Sequence, residues 1–196
     1  EGDADGMVSG YSRAYPTVVK PILEVIGRAS GVKKVATVNI MITERGPLFL
    51  ADTSINIEPN AEELADIAKM TANVASTFGF DPVLAMLSYA NFGSSTHPNA
   101  TKVREAVRIL HETAPNLVVD GEIQTDFALN KELHESKFPF SKLAGRKVNT
   151  LIFPNLESSN ITYKLLKELN GADSIGPIMV GLRKAVHIMQ LGASVD

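Results

Sequence analysis

The chain has 196 residues, 44% of them apolar and 21% charged, a length and composition suited to one domain with a substantial buried core. With 19 basic against 22 acidic side chains, a formal net charge of −3 and no like-charge run longer than a pair, nothing marks a nucleic-acid surface or an anionic membrane. The absence of Cys excludes disulfide frameworks, thiolate zinc sites and cysteine nucleophiles together.

Pro16 to Ile26 carries apolar residues at Val18, Val19, Ile22, Leu23 and Ile26, the rhythm of a helix face, and stops at Gly27. Val35 to Thr43 is β-branched, and Leu48 to Asp52 is apolar again after the turn-like Glu44-Arg45-Gly46-Pro47, which predicts two strands joined tightly. Asn60 and Glu63 have the spacing of a capping box, opening a helix to about Phe78 whose small and apolar positions cover a wide face. Val83 to Leu87 reads as a buried strand running into a polar loop, Ser88 to Pro98, followed by a helix over 100–112.

Leu117 to Val119 predicts a short strand ending in Asp120-Gly121-Glu122, and Val148 to Phe153 another, before a helix from Asn160 to Leu169 that Gly171 stops. Strands alternating with helices predict an α/β sheet, parallel in the main, with its ligand crevice beyond the strand carboxyl ends. No transmembrane-length apolar run occurs, and Glu1 to Asp5 is acidic where a signal peptide is basic, so the expected location is cytoplasmic. The chain opens on Glu1 rather than Met, which reads as a piece of a longer polypeptide.

Four His residues lack metal-ligand spacing, and there is no Walker sequence, GxGxxG or GxSxG. Asp120, Glu122 and Asp126 at a strand end suit either a base or plain turn and capping chemistry, with equal weight. Ser158-Ser159-Asn160 at a helix start offers hydroxyls and N–H groups to an anion, with Lys164 one turn inside; simple capping explains half of that signal. The Ser88 to Ser95 loop resembles a cradle for a phosphate or pantetheine chain, although Ser/Gly loops are common.

Several strings, taken in order, resemble the phosphate acetyltransferase and phosphate butyryltransferase family: 5–10 (DGMVSG), 87–94 (LSYANFGS), 115–124 (PNLVVDGEIQ), 153–164 with its Asn160 and Tyr163-Lys164, and Gly176-Pro177-Ile178 with Gly181-Leu182. The resemblance implies a three-layer α/β sandwich of the phosphotransacetylase, isocitrate/isopropylmalate dehydrogenase-like type. On it, residues 1–180 form the second of two subdomains and 181–196 begin the return to the absent first one. It also implies acetyl transfer between coenzyme A and phosphate, a reaction that needs a base for the thiol and a stabiliser for the carbonyl oxyanion.

The family's catalytic stretch has a Ser and an Arg before a Gly; here Gln190 and Leu191 occupy those places. An alkyl chain cannot replace a guanidinium, and losing one electrostatic stabiliser commonly costs about 2.7–4 kcal/mol in the transition state. Lys20 likewise takes the place of a family Arg. The strings at 42–53 and 186–192 look more like the phosphotransacetylase-like C-terminal half of bacterial malic enzymes. That resemblance implies a regulatory or oligomerisation domain, at least dimeric, binding acetyl-CoA without turnover, with NADP, a divalent metal and malate handled by an absent N-terminal part. An active acyltransferase is the alternative, and a purely structural dimerisation module a third. The ligand-binding positions carried over are Lys20, Ser88, Gly93, Ser94, Asp120, Glu122, Asn160, Tyr163 and Lys164.

Overall fold

The computed structural model describes residues 4–10, 15–170 and 173–189. Its strands are β1 (Gly6–Gly10), β2 (Ala36–Thr43), β3 (Gly46–Ala51), β4 (Val83–Leu87), β5 (Val118–Ile123), β6 (Thr150–Ile152), β7 (Ser174–Val180) and β8 (Ala185–Met189). Between them run α1 (Tyr15–Val25), α2 (Ala61–Thr77), α3 (Pro98–Thr113), the short α4 (Thr125–Leu129) and α5 (Lys131–Lys137), and α6 (Leu156–Asn170). The strands form one sheet in the order β1-β8-β7-β2-β3-β6-β4-β5.

The sheet is mixed, with four of its seven strand pairings parallel. β3, β6, β4 and β5 are mutually parallel, and so are β1 and β8, but the β2–β3 hairpin and the β2–β7 and β7–β8 pairs are antiparallel. The four-residue turn that predicted two linked strands is what dictates the reversal, since only an antiparallel pair closes over so short a connection.

Alternation along the central strands sorts the core into two layers. Phe49, Ala51, Leu84, Met86 and Ile152 point to one face and pack with Leu64, Ala68, Val103 and Leu110 of α2 and α3. Leu50, Ala85, Leu87 and Leu151 point to the other and pack with Ile123, Ala128, Leu143 and Tyr163. Helices on both faces of one sheet give the three-layer α/β sandwich. A smaller cluster of Val18, Val19, Ile22, Met179, Val186 and Ile188 ties α1 to the β7–β8 end.

Three element readings need correction. Strand β5 runs through Asp120-Gly121-Glu122 instead of ending before it. Gly121, at φ +147°, permits this, because a Cβ there would stand 2.5 Å from the Met86 carbonyl oxygen of β4. Helix α6 starts at Leu156, so Ser158, Ser159 and Asn160 lie inside it rather than at its start. Finally, α4, α5, β7 and β8 were not foreseen as elements. The part of 181–196 that the structure describes contains β8, which is bonded within the same sheet.

Candidate functional site at the strand carboxyl ends

Parallel β3, β6, β4 and β5 bring four loops to one edge of the sheet: 52–60, 154–155, 88–97 and the start of α4. Asp52, buried directly after β3, organises the first of these. Its carboxylate accepts from Thr37 N (3.0 Å), Thr37 Oγ1 (2.6 Å), Ser54 N (3.1 Å), Asn56 N (2.7 Å) and the Asn56 side-chain amide. Five donors from both sides of the loop compensate the buried charge and fix the turn. Helix α6 is bonded to the same loop. Ser159 Oγ donates to the Asp52 carbonyl oxygen, and Asn160 Nδ2 donates to that of Thr53 at 3.0 Å.

The loop after β4 is held by Glu122, which is fully buried. Glu122 Oε1 accepts from Gly93 N (2.8 Å) and Arg104 Nη2 (3.0 Å), and Oε2 accepts from Arg104 Nε (3.0 Å). The same guanidinium donates to the Ser95 carbonyl at 2.7 Å. This two-pronged pair raises the Arg104 pKa, chiefly through the hydrogen bonds to Glu122, against partial desolvation, with the Glu122 charge contributing least. Across the same gap Asn91 Nδ2 donates to Gln124 Oε1 and the Gln124 backbone N–H donates to Asn91 Oδ1, and Phe92, at φ +40°, donates its N–H to the Glu122 carbonyl.

The donors of this loop are therefore turned inward. Ala90 N bonds Ser88 Oγ, Asn91 N bonds Ser94 Oγ, and Ser94 N bonds the Asn91 carbonyl, so Ser88, Gly93 and Ser94 brace the turn. A phosphate cradle presents free N–H groups outward; here the Gly93 and Ser94 N–H groups are bonded to Glu122 and Asn91, and the exposed face of the loop is formed by Gly93, Ser94, Tyr89, Thr96 and His97, with Tyr89 Oη 3.0 Å from Ser95 Oγ.

Asp120 is engaged as well, accepting from Gly121 N (3.0 Å) and Lys142 N (2.8 Å). Tyr163 lies in the core layer beneath α6, and Ser158 N is capped by Asn155 Oδ1 at 3.0 Å. Lys20 and Lys164 are exposed and form no ion pair with a described residue. Lys20 lines a cavity of about 540 Å³ with Val19, Leu23, Glu24, Ser54, Ile55, Ile57 and Leu156. Gln190 and Leu191 lie outside the described residues.

Four side chains that shape this edge escaped the sequence reading: Asp52, Asn56, Arg104 and Lys102. Lys102 Nζ donates to Glu58 Oε2 (3.2 Å) and to the Pro154 carbonyl (3.0 Å), linking the loops after β3 and β6. Asp52 left a signal, an acid directly ending an apolar strand; Arg104 left none, since it looks like any flank of an amphipathic helix. Among the described residues no three His, Asp or Glu converge as a metal site.

The whole chain, residues 1–196, matches the family model described as "Phosphate acetyl/butaryl transferase". It belongs to that phosphate acetyl/butyryl transferase family. Within the family, it is 43% identical over 201 residues to a phosphate acetyltransferase of Thermoanaerobacterium thermosaccharolyticum, covering 99% of this chain and 61% of that protein. It is 41% identical over 194 residues to an NADP-dependent malic enzyme of Haemophilus influenzae, covering 99% of this chain and 26% of that protein. A phosphotransacetylase structure from Streptococcus pyogenes superposes with a TM-score of 0.93 at 42% identity, over 98% of this chain and 59% of that one. The chain thus spans under two thirds of the length of each of these three relatives, and phosphate acetyltransferases and malic enzymes share the domain it represents.

Proposed function

We propose that this chain is the phosphotransacetylase-like regulatory and oligomerisation domain of a malic enzyme, binding acetyl-CoA at the strand carboxyl ends without transferring its acetyl group. The observation that carries the reading is the replacement of the family's Ser-Arg pair by Gln190 and Leu191. The site geometry supports it. Asp52, Asp120 and Glu122, the buried carboxylates at this edge, each accept structural hydrogen bonds on both oxygens, which leaves no unengaged base among them for a thiol.

What the edge retains suits binding. The largely apolar cavity beside Lys20, which Glu24 and Ser54 also line, accommodates an acyl-pantetheine chain, while the exposed ammonium groups of Lys20 and Lys164 supply positive charge to phosphates. In the intact protein, at least a dimer, occupancy of this cleft biases a malate site carried elsewhere with its NADP and metal, by the usual allosteric coupling of about 1–3 kcal/mol.

Calorimetry with acetyl-CoA, malate-dependent NADP reduction with and without acetyl-CoA, and phosphate-dependent thiol release test the proposal together. The expected outcome is binding that weakens in Lys20→Ala, altered malate turnover and no thiol release. Robust thiol release establishes instead the second reading, an active acyltransferase, which the 43% identity to a phosphate acetyltransferase favours. Absence of acetyl-CoA binding leaves a purely structural module.

A further inference from the structure

We propose that the opposite end of the sheet carries a second binding site, for a multiply charged anion joined to a planar apolar body, the chemistry of a nucleoside diphosphate. It lies where β3 and β6 begin rather than end. Six residues of strand, at about 3.3 Å each, put Gly46 roughly 20 Å from the Asp52 loop. The two sites are therefore separate.

A cavity of about 540 Å³ opens there, within the range of pockets that bury small organic ligands. Four cations line it, Arg45, Lys131, Arg146 and Lys147, and no carboxylate does, although the chain as a whole is acidic. Among the described residues none of the four forms an ion pair. Arg45 is instead fixed by donating Nη1 to the Leu129 carbonyl at 3.2 Å, so its position is set while its charge stays uncompensated. The Lys147 ammonium lies over the turn, 3.8 Å from where a Cβ on Gly46 would stand.

Solvated surface cations normally alternate with acids. Four gathered around one concavity, with no carboxylate among the residues lining it, repel one another and focus a positive field into it. An anion relieves that repulsion, and the guanidinium forks of Arg45 and Arg146 match phosphate geometry. The floor adds the second half of the recognition. Leu48 and Val148 give it an apolar base, and the Phe80 ring, tilted against Phe49 at a centroid distance of 5.9 Å, is held in place yet 40% exposed. A fixed, exposed aromatic beside a cation cluster suits a planar base carrying phosphates.

The test is calorimetric titration of the protein with ADP, with adenosine and inorganic pyrophosphate as half-ligands. ADP is expected to bind more tightly than either, with an affinity that falls as salt rises. The double variant Arg146→Ala/Lys147→Ala, both residues being exposed, is expected to fold normally and to lose at least ten-fold in ADP affinity. The paired variant Lys20→Ala/Lys164→Ala, at the other end of the sheet, is expected to retain ADP binding. No ADP binding by the unaltered protein, equal binding of adenosine, or an affinity unchanged in the first variant and lost in the second overturns the proposal. Acetyl-CoA binding does not enter this readout, so either site can fail without the other.

Discussion

Glu122 has no solvent exposure, and its charge is tolerated because three N–H groups of Gly93 and Arg104 converge on it. In Glu122→Gln the carboxamide N–H2 would face the Arg104 donors, so at least one of those bonds is lost and another donor is stranded. Hydrogen bonds to a charged group contribute about 1.5–3 kcal/mol, and the variant is expected to lose that much in urea unfolding. Faster amide exchange at Phe92 and Gly93 is expected to accompany the loss. His134 behaves in the opposite sense. It is 2% exposed, its ring nitrogens have no well-formed hydrogen bond among the described residues, only the nearby Phe127 backbone, and Phe92 and Phe138 pack edge-on at 6.3 and 5.9 Å. Burial lowers its pKa below the ordinary 6.5, more than the Phe127 backbone and the Asp120 charge raise it. Below pH 6.5 the unfolded chain takes up a proton that the folded one refuses, so this contribution is complete above pH 6.5 and is lost on acidification. The loss is at most about 1.36 kcal/mol per pH unit. His134→Phe, which suits the aromatic cluster, is expected to flatten the decline in stability between pH 6.5 and 5 relative to the unaltered protein.

Helix α2 follows its sequence signals closely. Asn60 Oδ1 accepts from Glu63 N at 2.9 Å, Glu63 Oε2 accepts from Asn60 N at 3.0 Å, and Lys34 pairs with Glu63 at 2.7 Å. Removing the cap in Asn60→Ala is expected to cost about 1 kcal/mol, read as a lower urea midpoint with an unchanged slope. Its buried stripe was visible because Leu64, Ala65, Ala68, Thr71, Ala72 and Ala75 recur at helical spacing. By contrast α4 and α5 have 5 and 7 residues, too few for a period to show. The start of α6 was misplaced for a different reason. Asn155, not Ser158, supplies the capping oxygen, and a run of Ser and Asn offers several equivalent candidates to a reader of sequence.

Across the molecule, stability should follow position in the sheet. Leu50, Ala85 and Leu151 are wholly or almost wholly buried on adjacent central strands, whereas Met7 and Val8 on the β1 edge are 42% and 69% exposed. Hydrogen exchange is therefore expected to be slowest at β3, β6 and β4 and appreciably faster at β1, because central amides open only with the whole core. The same arrangement separates the two proposed sites. The central parallel strands have one common carboxyl edge, bearing the loops braced by Asp52 and Glu122, and one common amino edge, bearing the cation-lined cavity. Among the described residues no helix is long and apolar enough to cross a membrane.

The sequence by itself determined the family, the helices and strands long enough to show a period, and the α2 cap, because each is written in local order along the chain. Tertiary structure alone decided which polar groups are free. Asp120, Glu122 and Asn160 have the residue types of a site, yet they hydrogen-bond backbone or side chains that the fold brings near, such as Lys142 for Asp120, Arg104 for Glu122 and Thr53 for Asn160. Arg104 meets Glu122 only because α3 crosses over β5, and Arg45 joins Arg146 and Lys147 only because β3 and β6 are neighbours. Hydrogen bonding and charge compensation depend on distances in space, and those exist only once the sheet has formed.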